Sequence, residues 1–549
     1  QQRRLEQQQQ QQQQKHYASQ LNEKLKNEPT DRVRVMPTPP PQGYSSSSSS
    51  SSNDADGIKT PEEALLRDPP PAEEDEDKAK YDNRGQGKDK EEEGVGRAEP
   101  EKLEEIKQEM VHAWKAYELY AWGRDVVNPV SRRGSDEQYR MAITLLDSLD
   151  TLWIMGLKDK FNKGVEWVRD SCVFGRQEVS VFETTIRALG GLLAAYHLSQ
   201  EKILLQKAEE LALKMEPAFD TPTGFPKSTV RLSTGESWCP SWSHNSASFS
   251  EVTSLYLEWN YLSQATNNPR FTKRVEKVME TMIKMPKIQG LYAQWVSVDT
   301  GRFTSGDITL GSRVDSAYEY LEKAWRSSGR KRKDFLQEYL DRVDSVEEHL
   351  IRKSSPNGLT YIQQCTFSKS RCHGQFDHLV CFAPAMFALG AQEPLNPKKE
   401  RHMQLARELM ETCWQSYARM PTGLAPEIIK FDKGEDFYVD SRDTHNLLRP
   451  ETIESLFVMW RVTHEQKYRD QAWSIFKSFQ KWAKVDNAGY SSLNSVKIHS
   501  LQERSFRDHT ESFFFAETMK YLYLIFTDDS VMPVDKYVFN TEAHAFPIT

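Results

Sequence analysis

Several features are absent from this 549-residue chain, and each absence narrows its possible roles. The chain has no run of eighteen apolar residues, which is about the length that a helix needs to cross a bilayer, so we expect no membrane span in it. No basic stripe interleaved with aromatic residues occurs in the part that can fold, so nucleic acid is not an expected partner. No Asn-x-Ser/Thr sequon is present, so glycosylation gives no independent indication of secretion.

An initiator methionine and a signal peptide are also missing from the first residues, and we interpret the chain as a fragment whose start was removed. Cysteine is sparse, and the spacing of the six cysteines fits no zinc pattern. Two of them, Cys381 and Cys413, lie in adjacent helical segments and could form a disulfide. Six buried thiols in a reducing compartment are the alternative. The cysteines are Cys172, Cys239, Cys365, Cys372, Cys381 and Cys413.

The first hundred or so residues differ in composition from the rest of the chain. They contain eight consecutive glutamines at 7–14, eight serines at 45–52, a proline-rich segment at 37–41 and a charged stretch at 68–104. Such segments cannot bury enough apolar surface to offset the entropy lost on ordering. We therefore predict a disordered stem over residues 1–103 and one folded domain over residues 104–549.

The folded part shows mainly helical periodicity. Residues 186–196 are apolar on nearly every side, so a helix there must be enclosed by other elements. Residues 335–351 instead alternate apolar and charged faces. Enclosed inner helices that alternate with amphipathic outer helices describe an all-α barrel of six or seven helical hairpins, with short β-hairpins on its loops. An open solenoid is the alternative, but solenoid repeats resemble one another more closely than these do.

A carboxylate stands at or near the head of a helix-like run at seven places. Most neighbours in this series are roughly 60–75 residues apart, which is enough for two helices and their connections. If the repeats close into a ring, the heads meet at one end and form a carboxylate cluster. The seven residues are Asp150, Glu183, Glu251, Asp315, Asp377, Glu451 and Glu511.

Helix capping is the ordinary role of any single acidic residue in this series. That interpretation weakens where acids cluster within apolar sequence, as at Glu451 and Glu454, which share one helix face. Glu511 and Glu517 similarly flank three consecutive phenylalanines. Ionised carboxylates in such surroundings are costly unless they are paired, hydrated or bound to a cation. The members that we assign only to capping or lining are Asp150, Glu251 and Asp377.

A cavity lined by carboxylates, arginines and aromatic rings suits two tasks. Calcium takes oxygen ligands and tolerates irregular geometry. Glycoside hydrolysis requires two carboxyl groups that flank a sugar, and the rings of Phe513 and Trp460 could stack on its apolar face. The residues alone therefore predict a carbohydrate-active α/α barrel.

Five motifs carry a more specific signal, and they occur in order between about Trp114 and the C-terminus. They are Phe182-Glu183, Arg313-Val314-Asp315-Ser316, Asp377-His378-Leu379-Val380-Cys381-Phe382, Leu448-Arg449-Pro450-Glu451-Thr452-Ile453-Glu454-Ser455 and Phe539-Asn540-Thr541-Glu542-Ala543-His544. Together they resemble class I α-1,2-mannosidases, glycoside hydrolase family 47. The resemblance implies an (α/α)7 barrel, a bound Ca²⁺, and hydrolysis of terminal α-1,2-linked mannose with inversion at the anomeric carbon.

The resemblance also implies roles for individual residues. Glu451 corresponds to the general base, and Glu183 is our choice for the general acid with Asp315 as the alternative. Thr541 corresponds to the calcium ligand, through its carbonyl and its hydroxyl oxygen, while nearby carboxylates bind the water molecules around the ion. The residues that we expect at the sugar or at that water are Arg187, Arg313, His378, Arg449, Glu454, Phe513, Glu517 and Glu542.

Substrate and compartment follow from the same resemblance. Arg313 is typical of the endoplasmic reticulum type, which implies Man9GlcNAc2-type N-glycans of glycoproteins as substrates and removal chiefly of the middle-branch mannose. Cys381 and Cys413 match the disulfide of catalytically active members, which implies an oxidising lumen of the endoplasmic reticulum or early Golgi. We expect a monomeric catalytic domain, a role in glycoprotein maturation and quality control, and a type II membrane anchor before this fragment.

Two alternatives and two departures accompany these expectations. A lectin-like member of the same fold would bind mannose glycans with weak or no hydrolysis, and a protein scaffold would not need the buried acids. Ala317 stands where an aromatic residue is common in the family. Ala545 follows Glu542-Ala543-His544 at a position where the family often has proline. These departures concern the outer glycan subsites rather than the reaction.

Overall fold

The computed structural model describes residues 96–136, 139–368, 371–431 and 433–549. Residues 1–95 of the predicted stem therefore lie outside the described residues. Its last residues, 96–103, instead belong to the folded domain, because the first helix begins at Pro100 and the Glu99 amide donates to the Phe526 carbonyl at 2.9 Å. The segment is rich in charged residues, which is why composition placed it in the stem. It nevertheless starts an amphipathic helix, and proline is favoured at the first position of a helix.

Fourteen helices within the described residues alternate between an outer and an inner ring. Odd numbers denote outer helices and even numbers denote inner helices. In chain order they are α1 (Pro100–Tyr120), α2 (Ile143–Ile154), α3 (Lys158–Asp170), α4 (181–199), α5 (Lys202–Met215), α6 (249–266), α7 (Arg270–Lys284), α8 (Asp315–Ser327), α9 (Lys333–His349), α10 (378–392), α11 (Lys399–Ala418), α12 (Glu451–Thr463), α13 (Lys467–Trp482) and α14 (512–524).

The two rings differ in burial as their sequences predict. Outer helix α7 buries one apolar stripe, whereas inner helix α12 is buried along almost its whole length. Each inner helix contacts the next one, and α14 contacts α2, so the ring closes. This arrangement confirms the predicted (α/α)7 barrel. No helix in the described ranges combines the length and apolarity required to cross a membrane.

Four inner helices are irregular near the end that faces the cavity. Helix α4 has one α-helical turn (Val181–Glu183), a π-helical segment (Thr184–Leu189) and an α-helix (Gly190–Ser199). Helix α6 is broken between Phe249–Thr253 and Tyr256–Thr266. A 3₁₀ turn (His378–Phe382) precedes Ala383–Gln392 in α10, and a π-helical segment (Phe514–Thr518) precedes Met519–Leu524 in α14. π-helical turns recur at functional sites because they redirect side chains.

Short antiparallel sheets decorate the loops, as predicted. The largest contains five strands in the order β12-β11-β8-β7-β6, and one other contains three, β3-β4-β5. The strands are β1 (Val126–Asn128), β2 (Arg133–Ser135), β3 (Glu178–Ser180), β4 (Thr229–Arg231), β5 (Ser237–Trp238), β6 (Ala247–Ser248), β7 (Ala293–Val296), β8 (Phe303–Ile308), β9 (Ile351–Lys353), β10 (Thr360–Ile362), β11 (Gln364–Thr366), β12 (Cys372–His373), β13 (Gln375–Asp377), β14 (Ile428–Lys430), β15 (Lys484–Val485), β16 (Gly489–Tyr490), β17 (Tyr537–Phe539) and β18 (Ala545–Pro547).

The C-terminal hairpin β17–β18 fills the middle of the barrel. Strand β17 contacts α8, and strand β18 contacts α4. The turn between them, residues 540–544, is buried except for a partly accessible Thr541. The hairpin therefore brings Thr541 from the end of the chain to the inner helices.

Two disulfides are present in the described residues. The Cys381–Cys413 bond joins α10 to α11, with 5.9 Å between the Cα atoms, as predicted. Cys365 and Cys372, for which the sequence suggested no partner, form a second disulfide that joins β11 to β12. Cys172 and Cys239 are buried free thiols.

Six of the seven acidic residues stand near helix starts, and Asp150 does not. It lies within α2, which begins at Ile143 after Ala142, so the prediction of a helix head at Asp150 is wrong. Its carboxylate instead pairs with Lys520 at 2.7 Å, with both side chains fully buried. Glu251 has the predicted capping role, because it completes a capping box with Ser248.

Candidate active site

A cavity of about 410 Å³ lies where the inner helices start. Nine carboxyl groups and only three guanidinium groups line it, so acidic side chains outnumber basic ones in its wall. The carboxyl groups are those of Glu183, Glu251, Asp315, Glu319, Glu451, Glu454, Glu511, Glu517 and Glu542, and the guanidinium groups are those of Arg187, Arg313 and Arg449.

Glu451 is the first residue of α12, and two neighbours favour its ionised form. Its Oε2 lies 2.8 Å from His378 Nδ1, and its Oε1 lies 3.7 Å from the guanidinium of Arg449. Burial disfavours the charge, but the His378 hydrogen bond and the charge of Arg449 outweigh it and hold the pKa of Glu451 below its usual range. A buried carboxylate that stays ionised is suited to accept a proton.

His378 supports Glu451 rather than lining the cavity. Its side chain is 3% exposed, and Nε2 lies 2.8 Å from the Tyr417 hydroxyl and 3.2 Å from the Thr452 hydroxyl. Because the ionised Glu451 only accepts, His378 Nδ1 donates the hydrogen bond between them. His378 thus lies behind Glu451, which it orients, and its contact with the sugar stays a prediction.

Asp315 and Glu183 have opposite electrostatic surroundings. Burial raises the pKa of Asp315 to about 7, although hydrogen bonds from the Ser316 amide (2.8 Å) and the Ser250 hydroxyl (2.9 Å) oppose the rise. Glu183 is 31% exposed and accepts a hydrogen bond from Arg187 Nε at 2.9 Å. Asp315 therefore holds a proton near neutral pH, whereas Glu183 has an adjacent counter-charge.

Arg187 and Arg449 enclose the aromatic ring of Phe513. The two guanidinium carbons lie 5.8 Å and 5.6 Å from the ring centroid. Arg187 also pairs with Glu542, and Arg449 pairs with Glu427 at 2.6 Å. These contacts hold both arginines and the ring rigidly in the cavity wall, where the ring can contact the apolar face of a sugar.

Glu454, Glu517 and Glu542 form the most crowded group of carboxylates. Burial raises the pKa of Glu454 to about 8 despite a nearby ammonium group, Lys323 Nζ at 3.5 Å. The pKa values of Glu517 and Glu542 lie well above the usual range, because of burial first and of neighbouring carboxylates next. Mutual repulsion of this kind is relieved when a cation or ordered water occupies the space between the groups.

Thr541 lies beside these carboxylates in the cavity lining. Its amide lies 3.4 Å from the Tyr320 hydroxyl, but neither its hydroxyl nor its carbonyl oxygen has a hydrogen-bond partner among the described residues. Two neutral oxygens of one residue thus remain available for a ligand. Within the same described residues, no three His, Cys, Asp or Glu side chains are grouped closely enough to bind a metal directly.

Arg313 lies at the aromatic edge of the cavity. Its φ of 75° is unusual for a residue with a side chain, and its guanidinium lies 4.6 Å from the centroid of Trp295. Trp242 is 67% exposed and packs edge-on against Trp295 at 5.5 Å. Trp242 therefore contributes an exposed ring 5.9 Å from the guanidinium of Arg313.

The structure brings together most of the predicted residues and adds several others. All predicted catalytic and substrate residues except His378 line the cavity. Trp460, which we expected as a possible sugar-stacking ring, is buried and instead packs against Arg469 at 3.9 Å. Residues that the sequence interpretation missed are Tyr139, Ser250, Ser312, Glu319 and Asp147. Glu319 could have been found, because it follows Asp315 by four residues on one helix face.

Known proteins resemble this chain in sequence. The profile of glycosyl hydrolase family 47 matches residues 109–548. Human endoplasmic reticulum mannosyl-oligosaccharide 1,2-alpha-mannosidase is 44% identical over 447 residues, which cover 80% of this chain and 63% of the human protein. Mannosyl-oligosaccharide alpha-1,2-mannosidase IA of Drosophila melanogaster is 39% identical over 456 residues, which cover 82% of this chain and 67% of the fly protein.

A solved structure shares the fold. The alpha-1,2-mannosidase from Trichoderma reesei superimposes with a TM-score of 0.75 at 29% identity, covering 83% of this chain and all of that chain. The chain spans 63% of the length of the human relative. The profile match over most of the described domain and the similarity to these relatives show that the chain belongs to glycosyl hydrolase family 47.

Proposed function

We propose that this chain is an inverting exo-α-1,2-mannosidase that removes terminal mannose from high-mannose N-glycans of the Man9GlcNAc2 type. The observation that carries the proposal is the pairing, in one cavity, of an ionised Glu451 with carboxyl groups that can hold a proton. Glycoside hydrolysis with inversion needs one carboxylate as base and one carboxylic acid as proton donor. The relatives named above are mannosyl-oligosaccharide mannosidases, which favours mannose as the sugar.

The proposed reaction assigns one proton transfer to each side of the sugar. Glu451 accepts a proton from the attacking water as the water oxygen bonds to the anomeric carbon. The bond from that carbon to the glycosidic oxygen breaks, and the leaving oxygen takes a proton from the general acid. His378 and Arg449 hold Glu451 ionised for this step, and Phe513 with Arg187 positions the mannose ring.

The general acid is Glu183 or Asp315. The pKa of about 7 favours Asp315, because a donor must hold its proton at the working pH. Its accessibility favours Glu183, because a partly exposed carboxyl group can deliver a proton through a water molecule. Both residues line the cavity, so the assignment depends on the pH dependence of their variants.

We further propose that the cavity takes a calcium ion beside Thr541. The two unpartnered oxygens of Thr541 and the excess of acidic over basic side chains in the wall fit a hard cation. Glu454, Glu517 and Glu542 would hold the water molecules around the ion, since the described residues offer no direct cluster of three charged ligands. When bound, calcium would polarise a water molecule and offset the repulsion among these carboxylates.

The compartment that we propose is the lumen of the secretory pathway, with a role in glycoprotein processing and quality control. The Cys381–Cys413 and Cys365–Cys372 disulfides support an oxidising environment. Relatives whose names include the endoplasmic reticulum also favour the secretory pathway.

The proposed activity predicts that the protein releases mannose from Man9GlcNAc2. Proton NMR during the first turnovers should show β-mannose as the initial product, because inversion converts the α-linkage into the β-anomer. α-Mannose as the first product would contradict the inverting mechanism. Tight binding of the glycan without any release would favour the lectin-like alternative.

We propose that Arg313 restricts trimming chiefly to the middle-branch mannose. Replacing Arg313 with Leu should broaden trimming beyond the first mannose, because the change removes the guanidinium that faces Trp295 at the cavity edge. Mass spectrometry of the glycan products over time measures this effect. Arg302→Leu is the matched control, since Arg302 is exposed beside the start of β8 and does not line the cavity. An unchanged product pattern in Arg313→Leu would contradict the assignment.

A further inference from the structure

Four fully buried charged residues lie below the cavity and take no part in the proposed reaction. We call them the anchor cluster: Asp147 and Asp150 of α2, Lys520 of α14, and His544 at the end of the hairpin turn. Their side chains are 0% exposed, and none of them lines the cavity. Burying charged side chains costs desolvation free energy, so the contacts that these residues make with the hairpin turn indicate their role.

Lys520 ties the hairpin turn to α2. Its Nζ donates to the Ala543 carbonyl at 2.7 Å and to Asp150 Oδ2 at 2.7 Å. Ala543 lies two residues after Thr541 in the same turn. One ammonium group therefore connects the backbone of the turn to an inner helix of the barrel.

His544 makes the second connection. Its Nδ1 lies 3.2 Å from Asp150 Oδ2, and its Nε2 lies 3.0 Å from Asp147 Oδ1. Since two carboxylates face the ring, both nitrogens donate and the ring carries a positive charge. The four side chains then carry two negative and two positive charges, and Asp147 also lies 3.7 Å from the guanidinium of Arg187.

The turn is further constrained by its own side chains. Asn540 Oδ1 accepts from the amides of Glu542 (2.9 Å) and His544 (2.8 Å), and Asn540 Nδ2 donates to the Ile186 carbonyl at 3.0 Å. Ala543 has a φ of 60°, a left-handed conformation that a residue with a Cβ adopts only when its surroundings require it. The Lys520 hydrogen bond to its carbonyl is part of that requirement.

We propose that the anchor cluster preorganises the turn, so that both oxygens of Thr541 face the cavity before any cation binds. Lys520 and Asp150 are then positioning residues, which act on the cavity through the backbone of the turn. They order the turn during folding. The conformational entropy lost on ordering it therefore does not reduce the binding free energy of a ligand. A turn that orders only when calcium arrives is the competing arrangement. The inference rests on the proposed function only for the identity of the cation.

Hydrogen exchange in the wild-type protein tests the inference without any substitution. In excess chelator, the amides of Glu542 and His544 should exchange as slowly as core amides of the inner helices, because Asn540 holds them in the preformed turn. Fast exchange that becomes slow only after Ca²⁺ is added would overturn the inference. This measurement needs no substrate, so an inactive protein with a protected turn would contradict the proposed function alone.

A double substitution tests the positioning role itself. Asp150→Asn with Lys520→Met removes both charges together, so neither is left buried without its partner. Titration of Ca²⁺ into chelator-treated protein should show an affinity about tenfold or more weaker than wild type, since the carbonyl of Ala543 loses a charged donor. An affinity equal to that of the wild type would overturn the positioning role.

Arg469→Met is the matched control for a merely structural effect. Arg469 is a buried cation on outer helix α13, and it donates to the carbonyls of Ile525 and Thr527. None of its hydrogen bonds within the described residues reaches the turn. Its loss should lower the melting temperature while Ca²⁺ affinity stays at the wild-type value. Equal loss of affinity in the control and in the double variant would show that destabilisation alone weakens binding.

Discussion

Replacing Glu451 with Gln should lower kcat by about 10²–10⁴-fold while the fold is retained. The amide still accepts the hydrogen bond from His378 Nδ1, so the start of α12 keeps its packing. It has no basic oxygen that could accept a proton from the attacking water. Initial rates of mannose release from Man9GlcNAc2 at saturating substrate measure the change, and thermal unfolding verifies the fold.

A glutamate just beyond the other end of α12 provides the control for this substitution. Glu465 is paired with Lys467 at 2.7 Å and lies outside the cavity, so Glu465→Gln should leave kcat unchanged. A loss of less than about tenfold in Glu451→Gln would remove Glu451 as the base, because general-base catalysis is worth more than that.

The pH profile of the same enzyme series separates the two candidate acids. If Asp315 is the donor, kcat/KM of the wild type falls as the pH rises through about 7, since the acid form is lost there. Asp315→Asn should then lack this alkaline limb. If Asp315 is not the donor, the alkaline limb persists in Asp315→Asn.

The barrel was predictable because its signals are local and repeated. Apolar runs such as 186–196 require enclosure, and six of the seven acidic residues stand near helix starts. If the inner helices of a closed ring all run in the same direction, their first residues lie at the same end of the barrel. The convergence of carboxylates in one cavity therefore followed from the order of the elements.

Individual roles were less predictable, because they depend on partners distant in sequence. Lys323 and Lys520 look like surface lysines in sequence, yet both are buried beside carboxylates on other helices or in the same helix. His378 occurs in a motif near the cavity, but its ring turns toward Glu451 and Tyr417. The Cys365–Cys372 bond depends on the register of β11 and β12, which spacing alone does not set.

A common physical pattern links the site to its surroundings. Acidic side chains outnumber basic ones in the cavity wall, whereas Asp147 and Asp150, which do not line the cavity, are matched by Lys520 and His544. The buried charges of the anchor cluster are thus paired within the protein, and the excess of acidic groups in the wall suits a cation and a polar substrate.

Calcium should stabilise the wild-type protein, and the hydroxyl of Thr541 should be required for most of that effect. At a calcium concentration about 100 times Kd, binding adds about 2.7 kcal/mol to the free energy of unfolding. Thr541→Val keeps the size of the side chain and the carbonyl but removes one of the two oxygens that lack a partner among the described residues.

The measurement is the melting temperature with Ca²⁺ and with chelator. Thr541→Ser retains both oxygens and is the matched control, so it should keep the wild-type shift and the calcium-dependent mannose release. Thr541→Val should lose most of the shift, and its activity should require much more calcium, because binding is weakened before the substrate arrives. A Thr541→Val protein with the wild-type shift would place the ion elsewhere. Activity of the wild type that persists in chelator would remove calcium from the proposed reaction altogether.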